Sequence, residues 1–267
     1  LIGGWGNLLA QNAGSNYARQ VNTLIGTKGV GLTSGYLYPG ATYPYGMVQF
    51  TPSYFSKRSG FVINQLSGGG CEHMGNFPTF PVKGKLKMSP DNILNYRINI
   101  SEEKGHAGYY EAMVQEDIKA KLTVTERTGM ASYEYPADQQ YGTVIIGGGI
   151  SATPIEQAAI VITAPNKCEG YAEGGNFCGL RTPYKVYFVA EFDADALESG
   201  TWKRDELKPN TTFAEGEYSG VYFTFDVSKK KNVQYKIGVS YVSVENAREN
   251  LKAENTGWDF LQIQNQA

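Results

Sequence analysis

The chain has 267 residues, and its 24 Lys and Arg residues against 26 Asp and Glu residues give a formal net charge of -2. Hydrophobic residues make up 41% and charged residues 19% of the sequence, so the composition excludes an intrinsically disordered chain. The near-neutral charge argues against a nucleic-acid-binding or anionic membrane surface, and two His and three Cys can supply one zinc site at most.

The first feature along the chain is a glycine-rich region over residues 21–84. Eleven of the 32 glycines lie between Gly26 and Gly75, which predicts long, tightly turned loops. At its centre, three consecutive glycines at residues 68–70 would let backbone N–H groups approach a ligand. The alternative is that they only permit a tight bend. No Gly-Lys-Ser/Thr sequence follows, so this is not a phosphate-binding loop.

Period-two alternation of apolar residues predicts strands in the middle and later parts of the chain. The segments are residues 122–124, 185–192, 221–227 and 235–241. Turn-forming residues at 136–138, 198–200 and 228–232 separate these runs. The repeated strand-turn-strand order predicts an all-β fold, a large antiparallel β-sandwich with a short C-terminal linker helix.

A helix is predicted over residues 244–253, with Ser243 as its N-cap. Val244, Ala247 and Leu251 fall on one face, and charged residues occupy much of the rest. The helix either packs back onto the sandwich or connects to another domain, and the apolar residues after it need something to pack against. No stretch of the sequence has the apolar length of a membrane span.

The residue patterns identify no catalytic constellation. Ser67 does not lie in a G-x-S-x-G motif, and His73 is too isolated for a confident triad. The cysteines allow two alternatives. Cys168 and Cys178 could form a disulfide in an oxidising compartment and leave Cys71 over, or all three could be free buried thiols.

Several blocks resemble glycoside hydrolase family 92, a family of α-mannosidases. Residues 21–27 read VNTLIGT, and residues 38–52 read YPGATYPYGMVQFTP, similar to the family's PGATxPFGMVQLSP block. Residues 60–61 and 66–75 resemble its GFSHTHLSGTGCxDxGD block. Further similar blocks lie at 108–110, 122–129, 186–192 and 236–251, so the resemblance extends over residues 21–260.

The resemblance implies that this chain is the N-terminal β-sandwich domain of a larger enzyme. We expect an N-terminal extension over residues 1–20, the sandwich over residues 21–242, and a linker helix with the start of a helical (α/α)6 domain over residues 243–267. The implied activity is that of a calcium-dependent, inverting exo-α-mannosidase acting on α-mannosides or N-glycans. In the family, both catalytic carboxylates and most calcium ligands belong to the helical domain. We therefore assign no catalytic or metal-binding residue here and expect the chain alone to be inactive.

The sandwich is expected to contribute loops to the sugar pocket and to form the interface with the helical domain. The pocket loop, residues 64–76, supplies the predicted substrate-binding residues Asn64, Gln65, Ser67, Gly68, Gly69, Gly70, Cys71, Glu72 and His73. The supporting loop, residues 38–45, supplies Tyr38, Pro39, Gly40, Tyr43 and Tyr45. The resemblance also implies a bacterial protein in the periplasm, secreted, or at the cell surface.

The pocket loop departs from the family pattern. Ile63, Asn64 and Gln65 stand where the family has His-Thr-His, and His73 and Asn76 replace two aspartates. These changes remove His and carboxylate groups near the expected pocket. They motivate an alternative function, a non-catalytic carbohydrate-binding or surface-interaction module.

Overall fold

The computed structural model describes residues 17–27, 37–53, 60–91 and 99–267. Most of the predicted N-terminal extension lies outside these ranges, and its last residues form a 3₁₀ helix, Tyr17–Gln20. The described residues form two antiparallel sheets, as the alternation of apolar residues predicts.

The first sheet contains eight of the described strands. In spatial order they are β1 (Ala41–Thr42), β2 (Gln49–Pro52), β3 (Phe61–Val62), β4 (Thr79–Lys83), β9 (Tyr141–Gly147), β16 (Ser219–Asp226), β13 (Glu198–Lys203) and β14 (Glu206–Pro209).

The second sheet contains nine of the described strands. In spatial order they are β15 (Phe213–Glu215), β10 (Ile155–Ala164), β11 (Lys167–Phe177), β12 (Leu180–Phe192), β17 (Asn232–Ser240), β8 (Thr128–Glu134), β7 (Ile118–Val124), β6 (Tyr109–Val114) and β5 (Ile100–His106).

Aromatic side chains join the two sheets across the core. Phe192 of β12 contacts Phe223 and Phe225 of β16, with ring centroids 4.9 and 5.0 Å apart. Phe61 of β3 stacks on Tyr133 of β8 at 6.2 Å. These rings are fully buried, and each large aromatic side chain removes about 150–250 Å² from water. The sandwich therefore has one continuous apolar core, and the predicted fold is confirmed.

Two details of the strand predictions were wrong. The turn expected at residues 198–200 is the start of β13, whose Gly200 pairs with Tyr222 of β16. The simple inside-outside alternation also fails in β16, where Thr224 is fully buried on the opposite face. There the Thr224 hydroxyl donates to the Thr143 hydroxyl at 2.8 Å, because Thr143 donates its own proton to the Gly84 carbonyl. Burial on that face is possible because these hydroxyls are hydrogen-bonded.

The predicted helix is present as α1 (Val244–Glu254), and a second, unpredicted helix α2 (Phe260–Gln266) follows it. The Ser243 hydroxyl caps α1 by accepting from the Asn246 N–H at 3.0 Å. Ala247 and Leu251 pack onto the second sheet, where a Cβ at Gly238 would lie 2.5 Å from the Ala247 carbonyl. The helix thus packs back onto the sandwich, which the sequence left open.

The C-terminal end of α1 is fixed to the turn between β7 and β8. The Glu254 carboxylate accepts from the Thr125 hydroxyl at 2.6 Å and from the Arg127 backbone N–H at 2.8 Å. It also forms an ion pair with the Arg127 guanidinium. Within the described part of the chain, no helix is long and apolar enough to span a membrane.

Candidate functional site

The pocket loop leaves the first sheet after β3 and returns to it before β4. Its two ends are joined by a reciprocal pair of asparagines. The Asn64 amide donates to Asn76 Oδ1 at 2.9 Å, and the Asn76 backbone N–H donates to Asn64 Oδ1 at 2.8 Å. The Tyr184 hydroxyl of β12 donates to Asn76 Oδ1 at 3.0 Å. Both asparagines are buried, so they close the base of the loop.

His73 fills the interior of the pocket loop and is fully buried. Its Nε2 accepts from the Leu66 backbone N–H at 2.9 Å, and its Nδ1 lies 2.8 Å from the Cys71 carbonyl oxygen. Because a carbonyl only accepts, Nδ1 carries the proton and Nε2 is the unprotonated acceptor. The imidazole is therefore neutral in this network and holds two parts of the loop together.

Different structural constraints favour glycine at the three consecutive glycine positions of the loop. Gly68 and Gly70 have positive φ angles of 78° and 70°, the left-handed region that favours glycine. A Cβ at either position would meet nothing within 4 Å, so this side of the loop is open. Gly69 does not have a positive φ angle, but a Cβ there would lie 2.8 Å from the His73 ring. The glycines therefore provide both a tight bend and an open backbone surface.

A disulfide between Cys71 and Cys178 joins the pocket loop to the turn between β11 and β12, with Cα atoms 5.4 Å apart. Cys168 is free and buried, and burial raises the pKa of its thiol. Both cysteine alternatives from the sequence were wrong. Cys168 is the second residue of strand β11 and Cys178 follows its end, which places them about 30 Å apart at 3.3 Å per residue. That separation is far beyond disulfide reach.

The supporting loop meets the pocket loop at Ser67. The Ser67 hydroxyl oxygen accepts from the Tyr38 backbone N–H at 3.1 Å and from the Gln49 amide at 2.8 Å. Tyr38, Pro39 and Gly40 are buried. Burial and the nearby negative charge of Glu72 raise the pKa of the Tyr38 hydroxyl.

Five of the predicted site residues line three different clefts. Tyr38, Gly40 and Ser67 line an open apolar groove of about 610 Å³. Glu72 lines a separate cleft of about 220 Å³ with residues 149–155 and 217–218.

Tyr43 lies apart from the pocket loop, in a cleft of about 370 Å³ beside α1 and α2. The Tyr45 side chain is fully exposed. The structure thus brings Tyr38, Gly40 and Ser67 together but does not group Tyr43 with them. Contact of any of these residues with a sugar stays a prediction.

Sequence reasoning missed the part of the site that comes from β11 and β12. The Phe177 ring lies 5.0 Å from the His73 ring, and Tyr184 joins the asparagine pair. The available signal was Asn176 and Gly179, residue types that favour a turn.

Among the described residues, no group of three or more His, Cys, Asp or Glu side chains could hold a metal ion. In the pocket loop, Asn64, Ser67 and His73 hydrogen-bond to other side chains or to the backbone. The buried Gln65 amide group and the Asn76 amide nitrogen have no hydrogen-bond partner among the described residues. The described residues therefore do not fit a calcium site.

Comparisons with known proteins agree along most of the chain. The family model for the glycosyl hydrolase family 92 N-terminal domain matches residues 20–240. An uncharacterized secreted glycosidase of Arthroderma benhamiae is 25% identical, over 93% of this chain and 36% of that protein.

Two solved structures are also similar. A GH92 family glycosyl hydrolase, ccman5, has a TM-score of 0.81 at 22% identity, over 94% of this chain and 36% of that one. A family GH92 α-mannosidase from Bacteroides thetaiotaomicron has a TM-score of 0.77 at 25% identity, over 92% of this chain and 36% of that one. The chain thus spans about a third of the length of these relatives.

Proposed function

The chain belongs to the glycosyl hydrolase family 92 N-terminal domain family, and we propose that it is the N-terminal domain of an exo-α-mannosidase-like glycoside hydrolase. The proposed substrates are α-mannosides or N-glycans. The observation that carries the proposal is the family match over residues 20–240 on a fold similar to that of a GH92 α-mannosidase. Because the chain spans about a third of the length of such relatives, the proposed activity is that of a longer protein that contains this chain.

In this proposal the sandwich closes one side of the sugar pocket with the pocket loop and forms an interface with a C-terminal (α/α)6 domain. The loop is suited to this role because His73 and the Asn64–Asn76 pair hold it in one conformation. It exposes Ser67, Gly68 and Gly70. A rigid loop with an exposed backbone can donate hydrogen bonds to sugar hydroxyls at little entropic cost.

The proposed reaction inverts the anomeric carbon. Inversion requires a general acid at the leaving oxygen and a general base on a water at the opposite face of the sugar, with the carboxyl groups roughly 6.5–9.5 Å apart. We assign both carboxylates, and the calcium site, to the helical domain. The described residues offer no calcium site, so no step of the reaction is derived through the ion here.

We further propose that the protein acts outside the cytoplasm, in the periplasm or as a secreted or surface protein. The Cys71–Cys178 disulfide supports this location, because structural disulfides persist in oxidising compartments. The relative from Arthroderma benhamiae is described as secreted.

The test uses the full-length protein with mannobiosides of each linkage, in calcium and after chelation. We expect mannose release from at least one linkage, loss of release on chelation, and recovery when calcium is restored. Proton NMR during the reaction reports the first anomer formed, which should be the inverted one. Release of no mannose from any linkage would refute the proposed activity.

A second candidate function is a non-catalytic carbohydrate-binding module. It is favoured by His73 and Asn76, which replace family carboxylates and are buried in uncharged hydrogen-bond networks. Calorimetry of the 267-residue chain with mannose and mannobiosides separates the two candidates. Millimolar or tighter binding by the chain alone, with no hydrolysis by the full-length protein, supports the module.

A further inference from the structure

The hairpin of β11 and β12 projects beyond the strands beside it. On one side, pairing of β12 with β17 ends at Tyr187. The seven residues from Leu180 to Val186 extend past that point, a reach of about 23 Å. On the other side, pairing of β10 with β11 ends at Gly174. Residues 175–183 are therefore a two-stranded projection, which we call the hairpin tip.

An isolated two-stranded hairpin is marginally stable in water, so a projecting tip needs further contacts to keep one position. Within the tip, Cys178 and Gly179 have φ angles of 52° and 83°, the paired positive values of a type I′ turn. The Gly179 N–H donates to Asn176 Oδ1 at 2.9 Å. These contacts define the turn but do not fix where it lies.

Contacts with the pocket loop fix the position of the hairpin tip. Cys178 is joined to Cys71 by the disulfide, and the Phe177 ring packs on His73 at 5.0 Å. Further along the hairpin, the Tyr184 hydroxyl donates to Asn76. The hairpin is thus held at three points along the pocket loop, two of them in the tip, and the Cys71–Cys178 link is covalent.

The outer surface of this unit is open. Leu180 is 72% exposed at the tip, and Leu66 is 53% exposed on the pocket loop. The Arg181 side chain is 76% exposed and forms only an exposed 3.4 Å pair with Glu156. An arginine and two apolar side chains beside an exposed glycine backbone offer hydrogen-bond donors and apolar contact to a glycan.

We infer that the hairpin tip is a second wall of the proposed glycan site, and that the Cys71–Cys178 disulfide is the positioning element that holds it against the pocket loop. The inference rests on the proposed function. The tip's reach exceeds one sugar ring, and the catalytic groups are assigned to the helical domain. The tip therefore contacts the part of the substrate beyond the cleaved mannose and sets the preference for the leaving group.

The kinetic test compares the full-length protein with its Cys71→Ser/Cys178→Ser variant on a mannobioside and on 4-nitrophenyl α-mannoside. We expect KM for the mannobioside to rise five- to tenfold with kcat within twofold. KM for the aryl substrate, which shares the pocket-loop contacts but lacks the second sugar, should rise only two- to threefold. Arg181→Ala, which leaves the disulfide intact, should raise KM for the mannobioside two- to fivefold. Equal losses on both substrates, or no change on the mannobioside, would overturn the inference.

Hydrogen exchange of the same proteins tests, without any need for activity, whether the Cys71–Cys178 disulfide holds the hairpin tip against the pocket loop. We call this link the clamp. Amides in residues 65–76 and 175–183 should exchange at least tenfold faster in the double variant, and those in residues 235–240 should not change. Cys168→Ala, on the same strand but outside the clamp, is the matched control and should leave both segments protected. If the double variant does not fold, the wild-type protein with and without tris(carboxyethyl)phosphine replaces it. Unchanged exchange would disprove the clamp, whereas absence of mannosidase activity would refute only the proposed function.

Discussion

Removing the Cys71–Cys178 disulfide should lower the stability of the chain by several kcal/mol. The bridge closes a sequence separation of 107 residues. In the chain-entropy model, a loop of that size contributes about 4.8 kcal/mol at 25 °C, and a bridge between Cys168 and Cys178 would contribute only about 2.7 kcal/mol. Measured disulfides typically contribute about 2–5 kcal/mol. We therefore expect Cys71→Ser/Cys178→Ser to lose about 3–5 kcal/mol.

The assay is equilibrium urea unfolding of the 267-residue chain, followed by tryptophan fluorescence. The double variant should show a lower midpoint and a larger dependence of the unfolding free energy on urea, because its unfolded chain is no longer cross-linked. Cys168→Ala is the control. It should lose about 1 kcal/mol through a small cavity in the core and keep the wild-type urea dependence.

Thiol labelling gives an independent check of the same bridge. The unfolded, unreduced wild-type chain should react at one thiol, Cys168, and the folded chain at none, because Cys168 is buried. Three reactive thiols in the unfolded chain, or a double variant with unchanged urea midpoint and slope, would refute the argument.

Three further substitutions test other parts of the structure by urea unfolding. Gly69→Ala should cost about 1–3 kcal/mol, since the new Cβ would lie 2.8 Å from the His73 ring, whereas Gly257→Ala, with nothing within 4 Å, should stay within about 0.5 kcal/mol. Glu254→Gln should cost about 1–3 kcal/mol, because the carboxylate joins α1 to the β7–β8 turn through charge-assisted bonds; a change below 0.5 kcal/mol would contradict this role. Burial alone would raise the pKa of Glu111, but a tyrosine hydroxyl and two lysines lower it overall. The ionised Glu111 carboxylate therefore stabilises the fold above about pH 4.3, and this effect is lost as pH falls through the folded pKa. Between pH 5 and 3, Glu111→Gln should lose less stability than the wild type. Equal losses in the two proteins would contradict the lowered pKa.

Local patterns predicted much of the sandwich. The alternation over residues 185–192 and 235–240 corresponds to β12 and β17, whose inner side chains pack in the core. The Ser243 cap and the apolar face of α1 were also predictable, because a cap and a 3.6-residue period are properties of neighbouring residues.

Features set by distant parts of the chain were not predictable in this way. The disulfide joins residues 107 positions apart, and no spacing rule selects it over the nearer cysteine. Both faces of β16 are buried near Thr224, which hydrogen-bonds to Thr143 of the neighbouring strand, and Thr143 in turn bonds to the Gly84 carbonyl. Turn residues at 198–200 enter a strand because β16 offers them backbone partners. In each case tertiary contacts override a local preference.

The structure shows what the residues that depart from the family motif contact. Of the five positions that differ, Asn64, His73 and Asn76 have buried side chains that hydrogen-bond within the loop. Ile63 packs in the apolar core, and the buried Gln65 amide group has no hydrogen-bond partner among the described residues. A carboxylate at position 73 would face the Cys71 carbonyl with two acceptors opposed, whereas the imidazole N–H donates to it. Asn64, His73 and Asn76 therefore support the loop through hydrogen bonds without a buried charge. The surface open to a ligand remains the backbone of residues 68–70 with Ser67, so the substitutions alter how the loop is held more than what it presents.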